Sequence, residues 1–347
     1  MRFPPPAGRP GGPGPVSDAD DGTVTGAGIA PPFRARPARP GDPTRTPPAP
    51  PAQSACRPES VEPMTDLFTL DGTEVPAAPV LVCAVDSWID AGLAAARARA
   101  ELLGTCTVTP VGRFDTEVLI DHQARRPVVH LEDGLCTGVD WPELVLQLIT
   151  DGEGRRALLL SGAEPDRSWR AVGRTLVALA RDSGVRRLVT LGAYPAPVPH
   201  TRPGGVVATA SHRHLADRVG FVPGTMDAPA GFGSALERLF AEAGFEACGL
   251  WAQVPHYVAN LPYPGAAVAL LDRLGDLAGI TVGADELRRF AAETTTRLDE
   301  LVAGNPEHAA MVAQLEAEHD ARTPTFPLPS GDELAAEVER FLRDRDS

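Results

Sequence analysis

The sequence predicts an α/β fold in which a mostly parallel sheet is covered by helices on both faces. Three observations carry this. Short apolar runs bounded by turn residues recur along the chain. They alternate with stretches of helical length and helical periodicity. Several of those stretches close on glycine. Continuous apolar runs of strand length are the pattern of strands buried on both faces, and their alternation with helices is the pattern of a parallel sheet.

The elements follow in order. PVLVCAV (79–85) reads as a buried strand ending at Asp86, and DAGLAAARARAELLG (90–104) as a helix closed by Gly104. TVTPVGRF (107–114) and RPVVHL (126–131) are strand candidates. WPELVLQLITDG (141–152) fits helix or strand. RALLLSG (156–162) is a buried strand, DRSWRAVGRTLVALARDSG (166–184) an amphipathic helix, and VRRLVTLG (185–192) the next strand. GVVATAS (205–211) is a further strand candidate. GFGSALERLFAEAG (231–244), FEACGLWAQVP (245–255) and GAAVALLDRLGDLAG (265–279) read as helix, strand and helix. The rest is helical. Leu287, Phe290, Ala291, Leu298, Leu301 and Val302 recur at helical spacing, and Asn305–Pro306 restarts a helix with a cap and a proline in its first position. Ser330 and Glu333 resemble a capping box before a terminal helix whose apolar face is Leu334, Val338, Phe341 and Leu342.

Three segments follow from composition: a leader (1–63), an α/β core (64–282) and a C-terminal helical extension (283–347). The leader is rich in Pro, Gly, Ala and Arg and lacks periodic apolar residues. It is expected to be disordered, since it cannot bury enough apolar surface to offset its ordering entropy. Translation starting near Met64 is an equal alternative.

Charge and composition narrow the function. The net charge of −14 over 347 residues excludes wholesale nucleic-acid binding, which needs a basic footprint. There is no lysine, so mechanisms needing a Schiff-base or P-loop lysine are excluded, and an ATP-dependent ligase has no nucleotide site to use. Five scattered cysteines without a CxxC pair fit a reducing cytoplasm rather than a disulfide framework or zinc ribbon. No run of about 18 apolar residues and no signal-peptide core occurs, so neither a membrane span nor secretion is expected. GxSxG, GxxxxGK[ST] and HExxH motifs are absent. The expectation is a protein without cofactor or metal.

Ligands of such folds bind beyond the carboxyl ends of the strands, so the loops after strands hold the candidates. In DSWIDAG (86–92), Asp86 and Asp90 flank Trp88, and Asp90 is placed to cap a helix. In SGAEPDRSWR (161–170), Glu164 and Asp166 could do acid–base work or bind a metal; alternatively, Asp166 caps the next helix. In AYPAPVPHTRPGG (193–205), His200 could act as a base and Arg202 could hold an anion through its planar fork, or the prolines could stiffen a recognition loop. His212 and His214 would share a face if they lay on a strand, and with His200 they offer a weak three-histidine metal option. In VPHYVANLPYP (254–264), His256, Tyr257 and Asn260 either form a site or a bonded loop that starts the next helix.

Taken together, DSWIDAG, SGAEPDRSWRAV, LGAYPAPVPHTRPGGVVATAS and LWAQVPHYVANLPYPGAAVALLDRL resemble the proteasome assembly chaperone family of the second type, in its actinobacterial branch. The resemblance covers residues 67–320. Ser87 replaces the glycine that many relatives place before the tryptophan, and Ala228–Pro229–Ala230 departs from the family's turn. The resemblance implies a three-layer α/β/α fold similar to nucleoside phosphorylases and related hydrolases, and self-association. Eukaryotic relatives assist assembly of proteasome α-rings. The function expected is therefore a non-enzymatic assembly chaperone or scaffold in the cytoplasm, a homo-oligomer with a protein partner. The alternative is an enzyme or small-ligand binder in which Glu164, Asp166, His200, Arg202 and His256 converge on a strand-end cleft.

Overall fold

A computed structural model describes residues 67–322; the leader, Cys56, Met64 and the terminal helix expected from Ser330 onward lie outside the described residues. Residues 224–228 group apart from the body described below.

The body is built on an eight-stranded sheet of order β1-β3-β6-β7-β2-β8-β10-β9. The strands are β1 (Phe68–Leu70), β2 (Val80–Asp86), β3 (Thr107–Phe114), β6 (Leu144–Thr150), β7 (Arg156–Ala163), β8 (Arg187–Ala196), β9 (Val206–Ala210) and β10 (Glu246–Pro255). The four central strands β7, β2, β8 and β10 run parallel. Both flanks are antiparallel. A separate two-stranded ribbon pairs β4 (Val128–Glu132) with β5 (Leu135–Asp140). The helices are α1 (Ala94–Thr105), α2 (Thr116–Leu119), α3 (Trp169–Asp182), α4 (Arg213–Val219), α5 (Phe232–Glu242), α6 (Pro264–Ala278), α7 (Asp285–Ala303) and α8 (Pro306–Arg322).

Strand β2 shows why three layers form. Its side chains alternate between two separate cores. Val80, Val82 and Ala84 pack with Ala95, Ala98 and Leu102 of α1 and Leu270 and Leu274 of α6. Leu81, Cys83 and Val85 pack on the other face with Leu176 of α3 and Phe232, Leu236 and Phe240 of α5. Each Val, Leu or Phe among them that is removed from water contributes about 1.5–3 kcal/mol, so a strand apolar from Val80 to Val85 is stable only when helices cover both faces.

The ambiguous 141–152 stretch is strand β6. Leu144, Leu146 and Leu148 are buried while Val145 and Gln147 are half-buried, and this period of two decides against a helix. Strand β8 runs on to Ala196, four residues past the expected end, and takes Pro195 into parallel register with Val254. The proline is tolerated because β2 leaves β8 after Thr190, so beyond that point β8 pairs on one side apart from a single bridge, Asp90 to Ala193. His212 and His214 do not lie on a strand: helix α4 begins at Arg213. His214 bonds Glu246 at the start of β10, whereas His200 bonds Tyr257, just past the end of that ten-residue strand. The two ends lie about 30 Å apart, which removes the three-histidine site. The helical extension starts against the core, since Ala284 and Leu287 are buried with α1 and α6.

One buried carboxylate fixes how α6 passes into α7. Asp151, in the β6–β7 turn, accepts hydrogen bonds from the backbone N–H of Glu153 and Arg155, from Arg155 Nε at 2.8 Å, and from the backbone N–H of Thr281 at 2.9 Å. Burial alone would raise its pKa, but these bonds outweigh burial and hold it at about 2. A carboxyl depressed in the folded state stabilises above its ordinary range, and that contribution is lost as pH falls toward about 2. Asp151→Ala is expected to cost about 2–4 kcal/mol in urea unfolding at neutral pH and to flatten the acid limb of the stability profile. An unchanged midpoint would refute the pinning.

Candidate functional site at the carboxyl ends of the central strands

Parallel pairing places the carboxyl ends of β7, β2, β8 and β10 on one edge of the sheet, and the expected loops all lie there. They do not assemble a common site. They form two groups of contacts.

The first group joins the loops after β2 and β7 to helix α5. Glu164 is buried at the end of β7. Its Oε1 accepts from the backbone N–H of Phe232, the first residue of α5, at 2.6 Å, and its Oε2 accepts from the Trp88 N–H at 3.2 Å. A carboxylate at a helix N-terminus satisfies an orphan donor and meets the positive end of the helix dipole. Arg125 Nη1 donates to the Glu164 carbonyl. The Trp88 ring stays 53% exposed and lies against Gly231, where an added Cβ would come within 3.3 Å of it. Asp86 is exposed and pairs with Arg99 at 2.7 Å. Exposed Asp166 does not cap α3; it accepts from the Asp121 N–H at 2.7 Å, and α3 begins after Ser168, whose φ of 59° marks a tight entry.

The second group joins the loops after β8 and β10 to the C-terminal helices. His200 is buried. The Tyr257 hydroxyl lies 2.8 Å from the His200 N–H and 2.6 Å from its Nδ1, and Asp299 Oδ1 of α7 lies 3.2 Å from Nε2. All three contacts are satisfied when Tyr257 accepts from the backbone and donates to Nδ1, leaving the proton on Nε2 for Asp299. Thr201 Oγ1 donates to Glu316 of α8. Arg202 grips Asp320 of α8 with both arms, at 2.9 and 2.7 Å, and reaches Glu316 at 3.2 Å. Helices α7 and α8 bury few side chains, Leu287, Val312 and Leu315 among them, so this polar latch supplies much of their attachment.

DAG (90–92) links these loops. Asp90 is not at the residue before α1, because a 3₁₀ turn at Ala91–Leu93 intervenes, yet its carboxylate still accepts from the Ala95 and Ala96 N–H groups of the first α1 turn at 2.8 and 2.9 Å. Burial raises its pKa against those bonds. Gly92 has φ +66° and exchanges backbone bonds with Ala259 and Tyr263, where a Cβ would come within 2.8 Å of Tyr263 Cβ. Only glycine fits that approach and that conformation. His256 and Asn260 are exposed, and the His256 ring stands edge-on to Tyr257.

Glu164, Asp166, His200 and Arg202 therefore each hold a different part of their own chain. A cavity of about 20 Å³, room for one water, lies between β2, β8 and the start of α5; Cys83, Ser87, Thr190, Gly233 and Trp251 are among its lining residues, and none of the five candidates of the catalytic alternative is. Next to it lies a group that sequence reasoning missed. Glu237 of α5 is buried under the sheet and accepts from Thr190 Oγ1 at 2.8 Å and Thr209 Oγ1 at 2.7 Å. Its signal was spacing: Gly233, Glu237 and Phe240 fall at i, i+4 and i+7 on one helix face. Burial pushes its carboxyl up to about 7 despite the two hydroxyl bonds.

Two outcomes follow. His200→Ala removes a buried bridge and is expected to cost about 2–3 kcal/mol, while Arg202→Ala, in an exposed pair screened by solvent, is expected to cost less. Hydrogen exchange should show the loss in α7 and α8 and leave β2 and β7 protected; equal loosening of the central strands would contradict the latch. Separately, a carboxyl with a raised folded pKa stabilises fully below its ordinary value near 4.5 and loses that contribution as pH rises through about 7. Glu237→Gln should remove this loss and make the protein more stable than the parent above pH 7, read as melting temperature against pH.

Comparison with known proteins places these observations. The PAC2 family profile matches residues 84–302. No curated protein sequence matches the chain. Among solved structures, a PAC2 family protein from Streptomyces avermitilis is 36% identical, with 67% of this chain and 99% of that one covered and a TM-score of 0.61. The proteasome-assembly chaperone homologue Rv2125 of Mycobacterium tuberculosis is 33% identical over 67% of this chain and 99% of its own, at TM-score 0.62. Rv2714 of the same organism, of unknown function, is 33% identical over 74% and 92%, at TM-score 0.68. With the profile spanning more than half the chain, and with the latch loops and the DAG turn inside it, the chain belongs to the PAC2 family.

Proposed function

We propose that the chain is a non-enzymatic assembly chaperone or scaffold that acts through protein–protein contacts, self-associated and in the cytoplasm. One observation carries this reading. At the strand ends, where an enzyme of this architecture keeps its reactive groups free, Glu164, His200 and Arg202 are spent on holding the chain together, while Trp88, Leu93 and Leu261 stand 53%, 55% and 58% exposed. Leu93 and Leu261 belong to the two loops that Gly92 ties together. Apolar side chains in water on rigid loops suit a protein partner better than a small polar substrate. Family membership supports a protein partner, and one relative is described as a proteasome-assembly chaperone homologue. No helix among the described residues is long and apolar enough to cross a membrane.

The client expected is a subunit of a ring-forming assembly of proteasome type. Affinity purification from the native host, with mass spectrometry of proteins and small molecules, tests it. The parent chain should retain such a subunit reproducibly, and Trp88→Ala combined with Leu261→Glu should lose it with the fold intact. Retention of a small molecule that the protein converts, with no protein partner, would replace this reading with the catalytic one.

A further inference from the structure

The loop at 196–205 is fixed without help from α8. At its start the Val198 N–H donates to the Ala196 carbonyl, and at its end the Gly205 carbonyl accepts from the Gln253 N–H of β10 at 2.8 Å. Between them, His200 is held by the Tyr257 hydroxyl and by Asp299 of α7. Gly204 lies against α6, where an added Cβ would come within 3.6 Å of Gly265 and Ala269. Pro197, Pro199 and Pro203 fix φ between these anchors. Thr201 and Arg202 are left to bond α8. What they grip is a pattern. Glu316 and Asp320 stand four residues apart on α8, which puts both carboxylates on one face, one turn apart. Arg202 takes Asp320 with Nε and Nη2, at 2.9 and 2.7 Å, and Glu316 with Nη1 at 3.2 Å; Thr201 Oγ1 adds a second bond to Glu316. A planar fork with a third donor to spare reads two acids at this spacing, which a lysine ammonium would not. Little else holds the occupant. Of residues 306–321, Val312 and Leu315 alone are buried. The Arg202 and Asp320 side chains are 32% and 54% exposed, so water and salt compete for the pair.

We infer that Thr201 and Arg202 form a docking site for a helix that carries two carboxylates one turn apart. Helix α8 is its resident occupant, and a protein partner presenting such a helix enters by displacing α8. Two arguments separate a docking site from a simple internal tie. The site is complete before α8 arrives. Its supports come from β10, α6 and α7, so losing α8 leaves the donors in place and little ordering remains to be done on binding. Exchange also leaves the charge facing Arg202 unchanged, since one acidic pair replaces another. The net charge of −14 therefore sets no new penalty at this contact. The tethered helix supplies selectivity. It competes at an effective concentration of roughly millimolar, so a partner must bring contacts beyond the two acids. As a statement about the partner, this rests on the proposed function and gives the client its recognition feature.

Glu316→Gln with Asp320→Asn in the full chain empties the site. Hydrogen exchange in α8 should then quicken roughly tenfold or more, with β8, β10 and the loop unchanged. The probe is a fluorescein-labelled peptide of residues 306–322, stapled to stay helical. Its anisotropy should report binding to the emptied chain roughly tenfold or more tighter than to the parent, and adding Arg202→Ala to the emptied chain should remove that binding. Unchanged protection of α8, or a peptide that binds all of these chains alike or none of them, overturns the docking site and leaves the client reading standing. In affinity purification the emptied chain should retain several-fold more client than the parent, and Arg202→Ala should cancel the gain. Equal retention restricts the site to its own α8 and overturns the partner. No client on any chain overturns the proposed function, and the partner with it.

Discussion

The enclosed ring of His200 joins three elements that are far apart in the chain: the loop after β8, the turn after β10 and helix α7. The arrangement at the strand ends depends on it. With the ring in place, Thr201 and Arg202 are presented to α8, and the two C-terminal helices are drawn onto the edge where a doubly covered sheet ordinarily keeps its ligand crevice. The prolines around it hold the loop in one conformation, so little entropy is lost on forming these bonds. A loop that looks catalytic in isolation thus serves as an internal clasp. The same residue types would be needed for either task, which is why composition alone could not separate them.

Two buried carboxyls show how environment sets the role. Glu164 receives two backbone N–H donors, one from a helix terminus, and serves as a fixed acceptor between loops. Glu237 has only two hydroxyl donors beneath the sheet, and burial carries its pKa to about 7. Hydroxyls can rotate to suit a neutral or a charged carboxyl, whereas backbone N–H groups can only donate. Glu164 is therefore built into the backbone network, while Glu237 keeps hydroxyl partners that can serve either form of its carboxyl.

The layered fold was legible because its signals are local. Continuous apolar runs at 79–85 and 156–162 and amphipathic helices at 166–184 and 231–244 report burial directly. The Asn305 cap also held, with Oδ1 accepting from the Glu307 and His308 N–H groups. The site was only partly legible. The loops were found, since they follow strands, and Asp90 does bond the first turn of α1, although a 3₁₀ turn separates it from that helix. Their partners were not, because 99 residues separate His200 from Asp299 and 118 separate Arg202 from Asp320. Periodicity carries no information over such distances. Asp166 was misassigned as a cap for a related reason: its carboxylate accepts from the backbone N–H of Asp121, 45 residues upstream, rather than from α3. The ribbon, by contrast, had a local signal in Asp133–Gly134 that was available and unused.

The lysine-free composition ties these features together. Arginine is the cation used in the latch and in the Arg187–Glu246 and Arg288–Asp272 pairs, where its planar fork suits a carboxylate. Every arginine committed in this way is a positive charge already answered by an acid of the same chain. The excess of acids is left unanswered, and salt screens it only beyond about 8–10 Å. Contact with an equally acidic protein is therefore easiest on surfaces where charge is absent, and at the carboxyl edge of the sheet the exposed side chains Trp88, Leu93 and Leu261 supply such a surface.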